Sequence, residues 1–118
     1  MIDKGGYVYI LTNSTRTVLY TGVTKDICSR IWQHYYEAPE TSFVSRYKVR
    51  NLIYFEMHQT IQEAIAREKQ IKSWTRKKKD RLINAHNPSR KFLSFFPDDG
   101  GLPEILYPDY DETLDREL

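Results

Sequence analysis

Two tyrosines, an arginine and a glutamate stand in an order that suits phosphate chemistry. Tyr9 and Tyr20 are 11 residues apart, and Arg30 follows Tyr20 by 10. Arginine offers phosphate oxygens a planar fork of donors that is always charged, and a carboxylate such as Glu68 can hold a divalent ion. A water that attacks phosphorus also needs a proton acceptor. These residue types are the ones expected for hydrolysis of a phosphodiester.

A β-hairpin is predicted to position the tyrosines. The runs YVYILT and TVLYTGV, Tyr7–Thr12 and Thr17–Val23, have the apolar and aromatic content of strands and flank a polar turn. A four-residue loop at Asn13–Arg16 would pair Tyr9 with Tyr20 and place both on one face of the sheet. A slip of one residue would separate them.

An amphipathic helix is predicted directly after the hairpin, within TKDICSRIWQHYYE. Thr24 can cap it, and Asp26 suits its first turn. Arg30 and His34 are four residues apart and therefore share a face. The apolar stripe consists of Ile27, Ile31 and Tyr35.

The second half of the chain is predicted to contain one strand and two helices. APETSFVSRYKVR has the composition of a loop, and Asn51–His58 that of a strand. A capping box at Thr60–Glu63 opens one helix, and an Asn-Pro pair at 87–88 closes the next. Glu68 lies beside the apolar stripe of the first of these helices, where lone carboxylates are rare. That stripe consists of Ile61, Ala64, Ile65 and Ile71.

Composition indicates one small domain. The chain has 118 residues and 40% hydrophobic content, which suits a single core. No run approaches the ~18 apolar residues of a membrane helix, and MIDKGG lacks the features of a signal peptide. The single cysteine, Cys28, fits a reducing compartment and excludes a cysteine-based metal site. We therefore expect a cytoplasmic protein in which Cys28 is a small buried hydrophobe.

The net charge of +2 conceals an asymmetry along the chain. Residues 1–93 have 17 Lys and Arg against 8 Asp and Glu, whereas residues 94–118 have one Arg and 8 acidic residues. A basic body favours a polyanion such as nucleic acid as its partner. We expect residues 1–93 to form the functional domain and residues 94–118 to form an acidic tail, either draped over the body or partly disordered.

The motifs, in this order, resemble those of the GIY-YIG endonuclease superfamily, in particular its small stand-alone bacterial members. The resemblance covers about residues 6–93 and rests on the triplets YVY and YTG, on Asp26-x-x-x-Arg30-x-x-x-His34, on AIAREKQIKSW and on the closing NP. It implies an α+β domain with a small three-stranded antiparallel sheet flanked by helices. YVY has Tyr7 in place of the family's glycine and Val in place of Ile, and YTG has Thr21 in place of Ile.

The resemblance also implies a role for each matching residue. Tyr9 corresponds to a general base, Arg30 to the catalytic arginine, and Glu68 to the ligand of a single divalent ion, Mg²⁺ or Mn²⁺. An unperturbed tyrosine has a pKa near ~10, so a base at neutral pH needs a lowered pKa or a coupled proton transfer, and Arg30 nearby would lower that pKa. The other matches are Tyr20, which lines the site, Gly22, which lets the chain turn from strand into helix, His34, a common site histidine, and Asn87, a supporting asparagine.

Several candidates have a structural interpretation as well. Tyrosines pack in cores more often than they catalyse, and this is our interpretation for Tyr7, Tyr35, Tyr36 and Tyr47. Glu68 could form a partly exposed salt bridge with Lys72, and Asn87 could cap a helix end. TRKKKDR is usually a solvated face, but here, next to Trp74, it makes phosphate contact plausible. The predicted nucleic-acid-binding residues are Lys72, Arg76, Lys77 and Lys78.

Together these features predict a metal-dependent endonuclease that hydrolyses DNA phosphodiesters. No recognition domain is evident, so we expect selectivity for DNA structure, such as branches or flaps, and a link to repair or recombination. The alternative is a non-catalytic nucleic-acid-binding module that retains the fold. A protein-interaction adaptor is a third possibility, which rests on the acidic tail alone. The sequence leaves the oligomeric state open.

Overall fold

A small antiparallel sheet with helices on both faces forms the body of the computed structural model, which describes residues 5–107. The strand order is β2-β1-β3, and β4 and β5 form a separate two-stranded ladder. The α+β fold predicted from the sequence is therefore confirmed. The elements are β1 (Gly6–Thr12), β2 (Leu19–Thr24), α1 (Ile27–Tyr36), α2 (Phe43–Arg46), β3 (Asn51–His58), α3 (Ile61–Lys72), α4 (Arg76–His86), β4 (Ser94–Phe95) and β5 (Glu104–Ile105).

The central strand β1 is buried on both faces, because helices cover each side of the sheet. Successive side chains of a strand point to opposite faces. Val8 and Ile10 belong to a cluster with Ala64, Ile71 and Ile83 of α3 and α4. The opposite face packs against α1 and the segments around β3; its buried members are Tyr9, Leu11, Ile27, Ile31, Val49, Leu52 and Leu93.

The register of the β1–β2 hairpin differs from the predicted one by two residues. Tyr9 pairs with Gly22, and Leu11 pairs with Tyr20, so the predicted Tyr9–Tyr20 pair is wrong. The cause lies in the loop, where Asn13 Oδ1 accepts hydrogen bonds from the backbone N–H of Thr17 at 2.8 Å and of Val18 at 3.1 Å. These two N–H groups therefore form hydrogen bonds within the loop and not with the opposite strand of the hairpin. A shift of two residues preserves the face, so both tyrosines still lie on the same side.

Of the two predicted helix caps, the one at α3 is confirmed and the one at α1 is a different residue. Thr60 Oγ1 accepts from the backbone N–H of Glu63 at 3.2 Å, which confirms the predicted start of α3. At α1 the cap is Asp26, whose Oδ1 accepts from Ser29 N–H at 3.1 Å. Thr24 instead accepts from the backbone N–H of Asp26, so it supports the cap residue and is not the cap itself.

Three other expectations need correction. The predicted loop before β3 contains the short helix α2, which spans four residues and is too short to show a helical period in the sequence. Ile65 was expected on the buried stripe of α3, but it is exposed because the helix turns this position away from the sheet. Cys28 is half-buried against the cluster that contains Tyr9.

The segment after α4 returns along β3. Leu93 N–H donates to Leu52 O at 2.7 Å, and Leu106 N–H donates to Leu93 O at 2.7 Å. Trp32 Nε1 donates to Gly100 O at 2.9 Å, which ties α1 to the loop between β4 and β5. Residues 108–118 of the predicted acidic tail lie outside the described part of the chain. Within residues 5–107, no helix is long and apolar enough to cross a membrane.

Asn87 should be important for stability. Its side chain is buried, and Nδ2 donates to Ile53 O at 3.0 Å and to Lys91 O at 2.9 Å. Asn87→Ala leaves both carbonyls without this donor, so we expect a loss of about 1–3 kcal/mol in the free energy of unfolding. Urea denaturation measures this loss. Asn87→Asp keeps the size but not the donors and should destabilise at least as much at pH 7; a neutral result for both variants would contradict this role.

Candidate active site

The hydroxyl of Tyr9 is the centre of the candidate site. Tyr9 is 0% exposed, and its Oη lies 2.8 Å from His34 Nε2. Tyr9 comes from β1 and His34 from α1, so this hydrogen bond joins the sheet to the helix that covers it. The Tyr20 ring from β2 lies 6.4 Å from the Tyr9 ring and 5.4 Å from the His34 ring, centroid to centroid. One residue from each of three elements therefore meets at one point.

Gly22 makes room for the Tyr9 ring. It lies within β2, opposite Tyr9, rather than at the turn into α1 that the family resemblance implied. A Cβ built on Gly22 would lie 2.4 Å from both Cζ and Oη of Tyr9. The tyrosine thus crosses over the backbone of β2, and the missing side chain lets its hydroxyl extend to α1.

Burial keeps both partners of this hydrogen bond neutral. Burial raises the pKa of Tyr9 to about 12, although a hydrogen bond with Arg30 acts in the opposite direction. Burial, together with the positive charge of Arg30, lowers the pKa of His34 to about 4. Arg30 therefore has the predicted effect on Tyr9, but burial outweighs it. The Tyr9 hydroxyl is therefore protonated at neutral pH.

Glu68 approaches the site from α3. Its charge acts on the Tyr9 hydroxyl and contributes to the raised pKa of that tyrosine. Its side chain is 13% exposed, and Oε1 lies 3.1 Å from Lys72 Nζ. The salt bridge considered as the structural interpretation is therefore present. Within residues 5–107, no group of three or more His, Cys, Asp or Glu side chains could hold a metal, so Glu68 would act as a lone carboxylate.

A cleft of about 530 Å³ is lined by His34, the hydrogen-bond partner of Tyr9. Arg30 and His34 of α1 and Tyr20 of β2 form one wall. The other wall comes from the loop that contains α2, and none of its residues was predicted to belong to the site. The sequence contains one signal for this wall, a pair of aromatic residues four positions apart, Phe43 and Tyr47, of which Phe43 lines the cleft. The remaining lining residues are Gln33, Glu37, Ala38, Pro39, Ser42, Phe43 and Val44.

The other predicted residues do not line the cleft, and some of them form contacts within the protein. The described side-chain bonds of Asn87 run to β3 and Lys91, away from the tyrosines. Arg76 donates to Thr17 O at 2.7 Å and to Arg16 O at 3.1 Å, so its guanidinium fastens α4 to the hairpin loop. Lys78 Nζ lies 4.4 Å from the centroid of the Trp74 ring, whereas Lys77 is exposed.

Comparison with known proteins gives a match to a family and to curated relatives. The family described as the GIY-YIG catalytic domain matches residues 5–88. The chain belongs to the GIY-YIG family. UPF0213 proteins of Staphylococcus aureus strains Mu3, Mu50 and N315 are each 39% identical over 77 residues, which cover 65% of this chain and 92% of theirs. No solved structure matches the chain.

Membership confirms the family predicted from the triplets and the arginine–histidine spacing. The GIY-YIG superfamily is one of nucleases, so the domain indicates an endonuclease that acts on nucleic acid. The departures at Tyr7 and Thr21 are compatible with the fold. Tyr7 packs against Phe55 of β3 at a ring distance of 6.4 Å, and Thr21 is buried within β2.

Gly22→Ala tests the close approach of Tyr9. The new methyl group would overlap the Tyr9 ring, so the ring or the strand must move. Overpacking of this kind costs about 1–3 kcal/mol in the free energy of unfolding. Urea denaturation measures this cost. A Gly22→Ala protein as stable as wild type would contradict the close approach.

The pKa of His34 predicts a pH dependence of stability. The unfolded chain binds a proton at this histidine near pH 6.5, whereas the folded protein resists protonation until about pH 4. The His34 contribution to stability is therefore lost as the pH falls through this window. NMR titration of the imidazole should give a midpoint near pH 4, and His34→Gln should weaken the pH dependence between pH 6.5 and 4. A midpoint near 6.5 would contradict the neutral pair.

Proposed function

We propose that this protein is a divalent-metal-dependent endonuclease that hydrolyses DNA phosphodiester bonds. One observation carries the proposal: the Tyr9 hydroxyl is hydrogen-bonded to His34 Nε2, and His34 lines a cleft together with Arg30 and Tyr20. A buried phenol in contact with a neutral imidazole and a cation is suited to proton movement beside an anion.

The attacking water loses its proton through Tyr9 and His34. Tyr9 Oη accepts the proton of the water while its own proton passes to His34 Nε2, 2.8 Å away. Because the two transfers are coupled, the high pKa of Tyr9 does not require a free phenolate at neutral pH. His34 is unprotonated above about pH 4, so Nε2 can accept this proton when Nδ1 carries the ring hydrogen, although the lowered pKa makes it a weak base.

Arg30 binds the scissile phosphate. Its side chain is exposed at the cleft, and its guanidinium stays charged at every pH at which the protein is folded. A fork of donors can hold two phosphate oxygens at once and stabilise the negative charge that develops during attack. Tyr20 forms the adjacent wall and restricts where the phosphate can lie.

Glu68 is the candidate ligand for a single Mg²⁺ or Mn²⁺. The donor set fits such an ion, because Mg²⁺ prefers oxygen ligands and retains several waters when few carboxylates are present. When bound, the ion polarises the phosphate and stabilises the leaving oxygen. Lys72, now paired with Glu68 at 3.1 Å, would release the carboxylate and become free to contact a phosphate.

DNA binding is proposed to extend along the basic face of α3 and α4. Lys72 and Lys77 are exposed there, and Lys78 lies above the Trp74 ring. Arg76 contributes less, because its donors are used within the protein.

We place the nuclease domain at residues 1–93 and the acidic tail at residues 94–118. We propose that the protein acts in the cytoplasm on branched or flapped DNA during repair or recombination.

Cleavage assays with matched variants test the proposed function. The substrates are duplex, single-stranded, flapped and branched DNA with Mg²⁺ or Mn²⁺. Tyr9→Phe, Arg30→Ala and Glu68→Gln should each lower the rate constant by about 10²-fold or more, because each removes a proton-transfer or charge-stabilising group. Omission of the divalent ion should abolish cleavage.

Two control variants separate chemistry from folding. Tyr7→Phe removes a hydroxyl from the same strand and face, and Glu63→Gln removes a carboxylate from the same helix. Both should cleave like wild type. Equal losses in the control variants would argue against the assigned roles. DNA binding without cleavage of any substrate by the wild type would favour the alternative of a non-catalytic binding module.

A further inference from the structure

The α2 loop presents two exposed aromatic rings, one of which, Phe43, lines the cleft. Phe43 is 44% exposed and Tyr47 is 47% exposed, and they are the first residue of α2 and the residue that caps its end. Their ring centroids are 4.7 Å apart. We call this pair the aromatic platform. A large apolar ring left in water loses the free energy that burial would provide, so contacting pairs of this kind often mark binding surfaces.

The platform continues the row of rings that begins at the candidate catalytic groups. The Tyr20 ring lies 5.4 Å from His34 on one side and 6.1 Å from Phe43 on the other, and it is inclined by 31° to Phe43. Phe43 also lines the cleft together with Arg30. A path of contacting rings therefore runs from the buried Tyr9 hydroxyl to the surface, directly beside the proposed phosphate position.

The polar groups of the cleft separate a phosphate side from a base side. Arg30 lies on the α1 wall, where its Nη1 donates to Gln33 Oε1 at 3.5 Å, whereas Glu37, the residue that caps the end of α1, extends the cleft toward the α2 loop. A carboxylate repels phosphate but accepts hydrogen bonds from the amino groups of bases, and a glutamine amide can donate or accept. Arg46 lies over the Tyr47 ring at 5.9 Å and adds positive charge at the outer end of the platform.

We propose that the aromatic platform Phe43–Tyr47 binds an unpaired nucleobase of single-stranded DNA next to the scissile phosphate. In a duplex each base face is covered by its neighbours, so a ring on the protein can stack only on a base that has left the stack. The platform thus favours substrates with unpaired nucleotides at the cleavage site. This inference rests on the proposed function, because it places the platform beside the phosphate held by Arg30.

Binding without a divalent ion tests the platform independently of cleavage. Fluorescence anisotropy compares a labelled single-stranded oligonucleotide with its fully paired duplex, with EDTA present. Stacking on an aromatic side chain is worth about 1–3 kcal/mol per base, so Phe43→Ala or Tyr47→Ala should weaken single-strand binding about 5- to 150-fold. Duplex binding should change by less than about twofold, because it depends on the basic residues.

Phe95→Ala is the matched control. Phe95 is also an exposed aromatic residue, at 61%, but it lies on β4, and none of the rings of the row contacts it among the described aromatic pairs. This variant should bind single strands like wild type. If Phe43→Ala perturbs the neighbouring Tyr20 ring, Tyr47→Ala still tests the platform, because Tyr47 lies farther from the site. Circular dichroism confirms that each variant is folded.

A 2-aminopurine base in the oligonucleotide gives a readout specific to stacking. Its fluorescence should be quenched by wild type and by Phe95→Ala, and the quenching should be lost in Phe43→Ala and Tyr47→Ala. Unchanged affinity and quenching in both platform variants would overturn the proposal, even if wild type cleaves DNA. Platform-dependent quenching in a protein that cleaves nothing would support the binding site and refute the proposed hydrolysis.

Discussion

The passage of the Tyr9 ring over Gly22 is the contact on which the candidate site depends. Tyr9 is on the central strand, which is paired on both sides and cannot move without disturbing the whole sheet. Its hydroxyl reaches His34 across the backbone of β2, where a Cβ would come within 2.4 Å of the ring. The hydrogen bond, together with the packing of Ile27 and Ile31, holds α1 against the sheet, and Arg30 lies on this helix one turn before His34.

On the other face of the sheet, α3 is positioned by a similar close approach between a helix and a glycine of a strand. A Cβ on Gly6 would lie 2.9 Å from the Cβ of Ala64, so the helix packs directly on the start of β1. Arg67 Nε donates to Glu56 Oε1 at 2.8 Å and fastens α3 to β3. Glu68, the next residue, is thereby turned toward the other edge of the sheet, where its charge acts on Tyr9. Two glycines thus bring helices from opposite faces to one site.

The electrostatics of the site follow from burial more than from charge pairing. A buried ion is costly unless it is fully paired, so Tyr9 and His34 remain neutral and share a hydrogen bond. Arg30, at the surface, keeps its charge without that cost. The site therefore combines a neutral buried pair, suited to proton movement, with an exposed cation suited to a phosphate. Lys72 holds the Glu68 carboxylate by a salt bridge.

Local sequence patterns were sufficient to predict much of the secondary structure of this protein. The strand at Asn51–His58, the presence of α3 and α4, the Thr60 cap and the spacing of Arg30 and His34 are properties of short segments, and the structure contains them as the sequence predicted. The hairpin register and the role of Gly22 required three dimensions, because they depend on side chains of a loop and of a neighbouring strand. The raised pKa of Tyr9 also required the tertiary structure: the sequence placed Arg30 nearby, but only packing decides how much water a hydroxyl loses, and here burial outweighs the cation.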